Sequence, residues 1–433
     1  MKLVNLSKEE FKKFADKHPQ ITFHQTEEWA NLKRVNGWKD YYVGYMDQGK
    51  IVAGALILSK TLPIIKKKMF YSPRGFLIDY QNLDLLKAFT KEIKEFAKKE
   101  GAIFVKIDPY VEYQERDNDG NVVDGGYHNK EAVDNLKKCG YHFFGFNVMQ
   151  DTLQPRWMHV IEINGRSEEE VEKDMESKTR QILRKNEKSC IQTREITKEE
   201  LPLFKSIMEH TGDRRDFIDR PLSYYEAMWD NLYPAGILKI LIADIDFNEY
   251  YHNTQNEIES IENGLKDRIY KHDKEILKMN EKKYESSNKQ DEEAIERLKK
   301  QLVKIKEYQK EYGDKKTLGT ILFLIYGNEV LSLFGGTDDN LMQFQSAYTV
   351  HYAGIRYAIE HGYKRYNFYG ITGDFRVDNP LYGLYLFKKS FGGHVVELIG
   401  EYDLVVSKFW YHAYHLAFRM YHTLKKVKQK IKK

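Results

Sequence analysis

The residues best suited to chemistry in this sequence are cations set beside aromatic rings. In LYGLYLFKKSFGGHVVE, Leu381 to Glu397, Phe387 precedes Lys388 and Lys389, and the pair Gly392-Gly393 follows. A lysine fixed in a cleft there would stabilise a phosphate or a developing oxyanion, because its charge is in place before the anion forms. The structural alternative is a cation near a helix C-terminus, where it interacts favourably with the macrodipole. In HQTEEWANLKRVNGW, His24 to Trp38, Trp29 and Leu32 fall on one side of a short helix and Lys33 or Arg34 on the other. A surface cation beside a core tryptophan would show the same pattern. In RRDFIDRPLSYY, Arg214 to Tyr225, three arginines surround Phe217 and two tyrosines follow a proline. That set suits a diphosphate, or an ordinary capped loop.

Elements must hold these groups, and 433 residues provide for two or three domains. With Tyr at 31, Phe at 23 and only 9 Pro, the composition favours packed globular structure. Two cysteines, Cys139 and Cys190, argue against a disulfide framework and fit a reducing cytoplasm. The start, MKLVNLSKEEFKKFADKH, is charged and lacks a signal-like apolar core, and no apolar run is long enough to span a membrane. There is no G-x-x-x-x-G-K-[ST], no G-x-G-x-x-G, no G-x-S-x-G, no H-E-x-x-H and no Cys/His cluster, so neither a metal nor a nucleotide cofactor is expected. The net charge of +4 is uneven: residues 408–433 carry eight Lys or Arg and no acid.

Residues 1 to about 150 read as alternating helix and strand. A capping box at Ser7 and Glu10 opens the first helix, and two strands flank Gln48-Gly49. The amphipathic helix LDLLKAFTKEIKEFAKKEG leads to a short buried strand, IFVKID, ending at Asp108-Pro109. A second mixed α/β unit begins near Gln154 with the strand WMHVIEI, one capped helix over SEEEVEKDMESKTRQILRKNEKS, and the strand ILKILIAD. From 246 to 316 the chain turns charged and helical, with apolar residues every three, four or seven positions, predicting an antiparallel helical hairpin with its turn in YESSNKQDEE. Strands resume around Gly327-Asn328, which makes the hairpin an insertion within one sheet.

Taken in order, HQTEEWANLKRVNGW, FYSPRGFLID, FVKIDP, TLQPRWMHVIEI, TRQILRKNEKS, LFGGT, YKRYNFYGITG and LYGLYLFKKSFGG resemble the Fem-type peptidoglycan branching aminoacyltransferases over nearly the whole chain. The resemblance implies a mixed α/β fold of two GNAT-like acyltransferase domains, 1–153 (completed by 397–433) and 154–396. It also implies a two-helix coiled-coil arm, 246–316, inserted in the second domain. It implies transfer of Gly, Ala or Ser from aminoacyl-tRNA to the stem-peptide amine of a lipid- or nucleotide-linked (lipid II or UDP-muropeptide) precursor, with no cofactor beyond the aminoacyl-tRNA and no DNA partner. Residue by residue, it places Lys33 and Arg220 on the precursor diphosphate, Tyr224 beside them, Phe387 and Lys388 at the acyl transfer, and Asp108 near the attacking amine. Arg180, Arg184, Lys185 and Lys188, together with the hairpin, become candidate tRNA contacts, although a charged helix face is also compatible with simple solvation. Phe334 and Asn367-Phe368-Tyr369-Gly370 depart from the family pattern.

The chemistry suits these residue types. An aminoacyl ester is already activated, so aminolysis needs positioning, proton removal and charge stabilisation without a metal or a protein nucleophile. The basic amphipathic tail suits an anionic inner membrane surface beyond about 424, and packing against the first domain before that. Two rival readings share some of these features: a CoA-dependent GNAT N-acyltransferase, and a non-catalytic tRNA-binding coiled-coil protein.

Overall fold

The computed structural model describes residues 2–62, 65–149, 152–215 and 217–431, with side chains described as far as 420. Period-two alternation of apolar residues builds the first sheet. β2 (Lys39–Asp47) and β3 (Lys50–Thr61) pair around Gln48-Gly49, whose φ values of 45° and 82° suit a two-residue hairpin. Val43, Tyr45, Ala53, Ala55 and Ile57 face one side, and Tyr42, Leu56 and Leu58 the other. The hairpin is therefore buried on both faces. α3 (Leu83–Lys99) covers the first face with Leu86, Phe89 and Ile93. α1 (Lys8–Ala15) covers the second with Phe11, and starts at the expected capping box of Ser7 and Glu10. Burying each such phenylalanine is worth about 2–3 kcal/mol.

β1 (Lys2–Asn5), β4 (Lys68–Ser72), β5 (Ala102–Ile107), β7 (Tyr141–Phe143) and β15 (Tyr402–Val405) complete a seven-stranded sheet in the order β1-β2-β3-β4-β5-β15-β7. α4 (Lys130–Lys138) packs beside β7. The late strand β15 thus inserts between two strands from the first third of the chain. The exchange is mutual, because β6 (Glu112–Gln114) crosses to the edge of the second sheet. That eight-stranded sheet also contains β8 (Trp157–Glu162), β9 (Ile191–Glu195), β10 (Leu238–Asp246), β11 (Lys315–Tyr326), β12 (Glu329–Thr337), β13 (Arg365–Ile371) and β14 (His394–Leu398). Its order is β6-β14-β8-β13-β12-β11-β10-β9.

α11 (Ser346–Glu360) packs on one face of this sheet, against Phe323, Tyr366 and Phe368. α7 (Leu201–Arg215) and α8 (Leu222–Leu232) cover the other face, joined there by α2 (Glu27–Val35) from the first unit. Phe23, Trp29 and Leu32 share one core with Phe204, Tyr225, Trp229 and Leu322. This apolar contact fastens the two units together.

After β10 the chain leaves as α9 (Phe247–Asp273) and α10 (Glu281–Tyr312) and returns into β11, the antiparallel neighbour of β10. Ile258, Ile295 and Leu298 form the seam with Ile261, Leu265 and Leu302, and Arg268–Asp291 (2.8 Å) and Glu262–Lys299 (3.3 Å) pair across it. Two expectations are corrected here. The turn lies at 274–280 rather than in YESSNKQDEE: Glu275 takes a φ of 55°, and the Asn280 side chain caps α10 by accepting the Lys283 N–H. Ile276 falls in that turn and is exposed. The single helix expected from Ser167 to Ser189 is instead α5 (Glu168–Asp174) and α6 (Ser177–Lys188). Met175 and Glu176 are extended between them, with Met175 buried and the Glu176 N–H donating to the Ser390 carbonyl at 2.9 Å.

α12 (Tyr382–Lys389) ends three residues before the double glycine, and α13 (Lys408–Ile431) follows β15. Among the described residues no helix is long and apolar enough to cross a membrane. Both glycines have positive φ, 80° at Gly392 and 90° at Gly393. A Cβ on Gly393 would lie 2.1 Å from the Val160 carbonyl oxygen. Gly393→Ala is therefore expected to destabilise the fold by about 3 kcal/mol or more, from the strained φ and the backbone clash together. A urea midpoint unchanged from wild type would contradict this.

Candidate functional site

Two cations meet at the junction of the units. Thr26 caps α2 by accepting the Trp29 N–H at 3.2 Å, which fixes the helix that carries Lys33 one turn later. Lys33 Nζ sits 4.1 Å above the Trp29 ring, whose edges meet Phe23 and His24, each 5.1 Å away. From the facing side, Arg220 lies over Tyr224 at 5.5 Å, just before Pro221 starts α8. The neighbouring acid is already committed: Asp219 accepts from Lys205 (2.7 Å) and from the Tyr225 hydroxyl (2.5 Å). Neither Lys33 nor Arg220 forms an ion pair among the described residues. Burial, then the charges of Arg220 and Lys60, pull Lys33 down to about 8. Lys33, Arg220 and Tyr224 are thus brought together by packing of α2 on α8. Arg214 is not part of the group, since it is spent on Asp339 and Thr337.

Behind this pair lies a buried polar cluster between the two sheets. Asp108 follows β5 and is 2% exposed. Its two oxygens accept the Arg74 N–H at 2.8 Å and the Tyr71 hydroxyl at 3.0 Å. Burial raises it to about 6 against the opposing pull of Arg74. Arg74 donates to the Pro155 carbonyl (2.8 Å), and the Tyr369 hydroxyl donates to Gln154 (2.5 Å). Tyr110 and Asn367 both donate to Glu329, at 2.9 and 3.1 Å. His24 is buried beside them, held well below the usual imidazole range by burial and by the charges of Arg74 and Lys33. FYSPRGFLID, TLQPRWMHVIEI and YKRYNFYGITG contain Arg74, Gln154 and Tyr369, but nothing in these motifs marks the three as parts of one site. A buried arginine on a turn of positive φ (Arg74, 53°) leaves no periodic signal.

Lys388 lies on the other side of Tyr369. β12 and β13 pair parallel only from Glu329–Leu331 to Arg365–Asn367, and β13 is irregular against β8 between Asn367 and Gly370. Tyr369 has a φ of 62° within that irregularity. Lys388 Nζ donates to the carbonyls of Phe368 (2.7 Å), Gly370 (2.7 Å) and, longer, Tyr369 (3.4 Å). It is buried, and desolvation lowers it to about 7. His159 and His351 nearby are both held down to about 3 by burial and by the Lys388 charge. Phe387 packs edge-on against Tyr348 (4.9 Å), with His351 5.3 Å away. Lys389 turns outward to pair with Asp119. Lys388 and Asp108 are therefore linked through Tyr369, whose carbonyl meets the lysine and whose ring reaches the Arg74 cluster.

The four basic residues of α6 do not form one row. Arg180 donates to the carbonyls of Glu172 (3.1 Å) and Met175, closing the end of α5. Arg180 and Arg184 both line a cavity of about 600 Å³ with Glu168, Tyr352 and Arg356, and Lys188 pairs with Glu257 of the arm at 3.2 Å. Lys185 instead joins Arg297, Lys300 and Lys304 of α10 around a cavity of about 580 Å³ that Glu293 and Glu296 also line, Glu296 pairing with Lys300. Among the described residues no cluster of His, Cys, Asp or Glu could hold a metal ion.

The chain matches the FemAB family over residues 6–419. Aminoacyltransferase FemA of Staphylococcus epidermidis is 33% identical over 432 residues, covering 99% of this chain and 100% of that protein. Aminoacyltransferase FemA of Staphylococcus aureus (strain bovine RF122 / ET3-1) is 31% identical over 436 residues, covering 100% of both. The crystal structure of FemX superposes with a TM-score of 0.80 at 26% identity, covering 95% of this chain and 99% of that one. With that match and full-length relatives above 30% identity, this chain belongs to the FemAB family.

Proposed function

We propose that this protein is a tRNA-dependent aminoacyltransferase. It would pass Gly, Ala or Ser from aminoacyl-tRNA to the stem-peptide amine of a peptidoglycan precursor, building the interpeptide bridge. The observation that carries this reading is the Lys33 and Arg220 pair, two cations held on aromatic rings at the junction of the units. Like charges gathered without an acid favour an anion between them, and the diphosphate of a lipid- or nucleotide-linked precursor supplies one. Tyr224 lies beside them, its ring beneath the Arg220 guanidinium. The full-length likeness to Aminoacyltransferase FemA supports the reaction class.

In the reaction, the acceptor amine attacks the ester carbonyl, giving a tetrahedral oxyanion. The attack forms the C–N bond; collapse restores the carbonyl and breaks the ester C–O bond, and the ribose hydroxyl leaves with a proton lost by the amine. Lys388 is the charge that meets the oxyanion, exchanging its longest hydrogen bond, the 3.4 Å contact to Tyr369, for the substrate oxygen. Phe387 shapes the acyl side with Tyr348 and His351. Asp108 has both oxygens occupied, so it acts as a positioning group, holding Tyr71 and the Arg74 turn beside the amine. Lys185, with Arg297, Lys300 and Lys304, forms the set best placed for tRNA phosphates. Arg180 and Lys188 contribute through the fold of α5, α6 and the arm, and Arg184 faces the neighbouring cavity.

Incubating the protein with charged tRNA and a lysine-containing precursor should give an RNase-sensitive mass gain on the precursor, whose size names the amino acid. No gain with either a lipid-linked or a nucleotide-linked acceptor would reject the function. Lys388→Met should slow single-turnover transfer by about 10²–10³-fold, the range for loss of one oxyanion donor. Because Lys388 titrates near 7, its charged form is lost as pH rises through that value. The wild-type rate should therefore lag above pH 7, whereas Lys388→Arg, charged throughout, should lack that lag. Near-full turnover by Lys388→Met removes the role. Lys33→Ala and Arg220→Ala should each raise KM for the diphosphate acceptor by about tenfold. Made together they should fall short of the product of the two effects, because the residues share one ligand; strictly multiplicative effects would contradict a shared anion.

A further inference from the structure

One side of α13 packs on the first sheet. Tyr411 is buried there and its hydroxyl donates to Asp403 at 2.9 Å, while Phe104 meets Tyr411 and Tyr414 at 5.5 and 5.6 Å. The other side carries Phe409, Leu416 and Met420, which are 72%, 61% and 58% exposed. Spacings of seven and four residues put them on one helical stripe. Cations frame it: Lys408 starts the helix, Lys66 is exposed, and Lys67 Nζ lies 5.4 Å over the Trp410 ring. Exposed Phe144 extends the same side of the sheet, with Lys106 Nζ 4.2 Å over its ring and 3.0 Å from the Asp403 that Tyr411 also reaches. The helix continues to Ile431, and residues 408–433 carry eight basic residues and no acid; their side chains beyond 420 lie outside the described residues.

From this juxtaposition we infer that α13, the turn at 65–67 and Phe144 form a surface that docks peripherally on an anionic lipid bilayer. Apolar side chains enter the boundary of the acyl region while the cations meet lipid phosphates. RNA would answer the charge but not the exposed leucine, methionine and phenylalanines. The surface reaches toward the buried cluster along β5, since Lys106, which meets Phe144 and Asp403, stands two residues before Asp108. A lipid-anchored acceptor would therefore approach from the side on which the protein rests. The docking itself does not depend on the transfer reaction.

Co-sedimentation of the full-length protein with phosphatidylcholine vesicles, with and without phosphatidylglycerol, tests this without any transfer assay. Binding is expected only with phosphatidylglycerol, weakening as salt rises. Replacing Lys66, Lys67 and Lys408 by Gln should weaken it about fivefold per charge. Phe409→Ser with Leu416→Ser should weaken it about tenfold or more, with an unchanged melting temperature because both positions are exposed. No binding, equal binding to both vesicles, or variants that lose RNA binding while keeping vesicle binding would overturn the inference.

Discussion

An ammonium removed from water and given no carboxylate must be solvated by the protein's own backbone, and Lys388 imposes that demand on the second sheet. Its three donors meet the carbonyls of Phe368, Tyr369 and Gly370. The parallel pairing of β13 with β12 ends at Asn367, before these residues. The irregularity between Asn367 and Gly370, and the positive φ of Tyr369, go with that arrangement. They also direct the Tyr369 ring to Gln154 and the Arg74 cluster. A single desolvated charge thereby ties the α12 side of the sheet to the buried polar cluster on the other side.

The second support is apolar. α2 belongs to the first unit by sequence but packs into the core of the second, so Lys33 and Arg220 are set by one shared hydrophobic cluster rather than by a flexible linker. The crossing of β6 and the return of β15 reinforce that attachment through backbone pairing. Relative motion of the units would cost both, which favours a site assembled before substrate arrives. The FemAB relatives match along the whole chain, in keeping with a site that draws on its first third, its middle and its end.

Local chemistry was legible where it was repeated or punctuated. The capping box at Ser7, the hairpin at Gln48-Gly49, the periodic arm and the helix running into Gly392-Gly393 each rest on contacts within a few residues. The arm's turn is not legible in sequence because a polar, exposed helix pair offers no contrast between helix and loop, and the Asn280 side chain caps α10 there. The break at Met175 and Glu176 was hidden because its cause is distant, a core position and the Ser390 carbonyl. The split of Arg180, Arg184, Lys185 and Lys188 among separate tasks has the same origin, since each partner comes from another element.

The sequence by itself determined the mixed α/β elements, the inserted helical arm, the charged tail and the identity of the cations beside aromatic rings. These follow from side-chain periodicity, turn residues and composition, all readable in one dimension. Only the tertiary structure decided which cations share a space. Lys33 meets Arg220 across nearly two hundred residues, Lys388 is held by β13 carbonyls, and Asp108 is enclosed by Tyr71 and Arg74. The physical reason is that desolvation and charge proximity depend on through-space neighbours, and those are fixed by packing rather than by order along the chain.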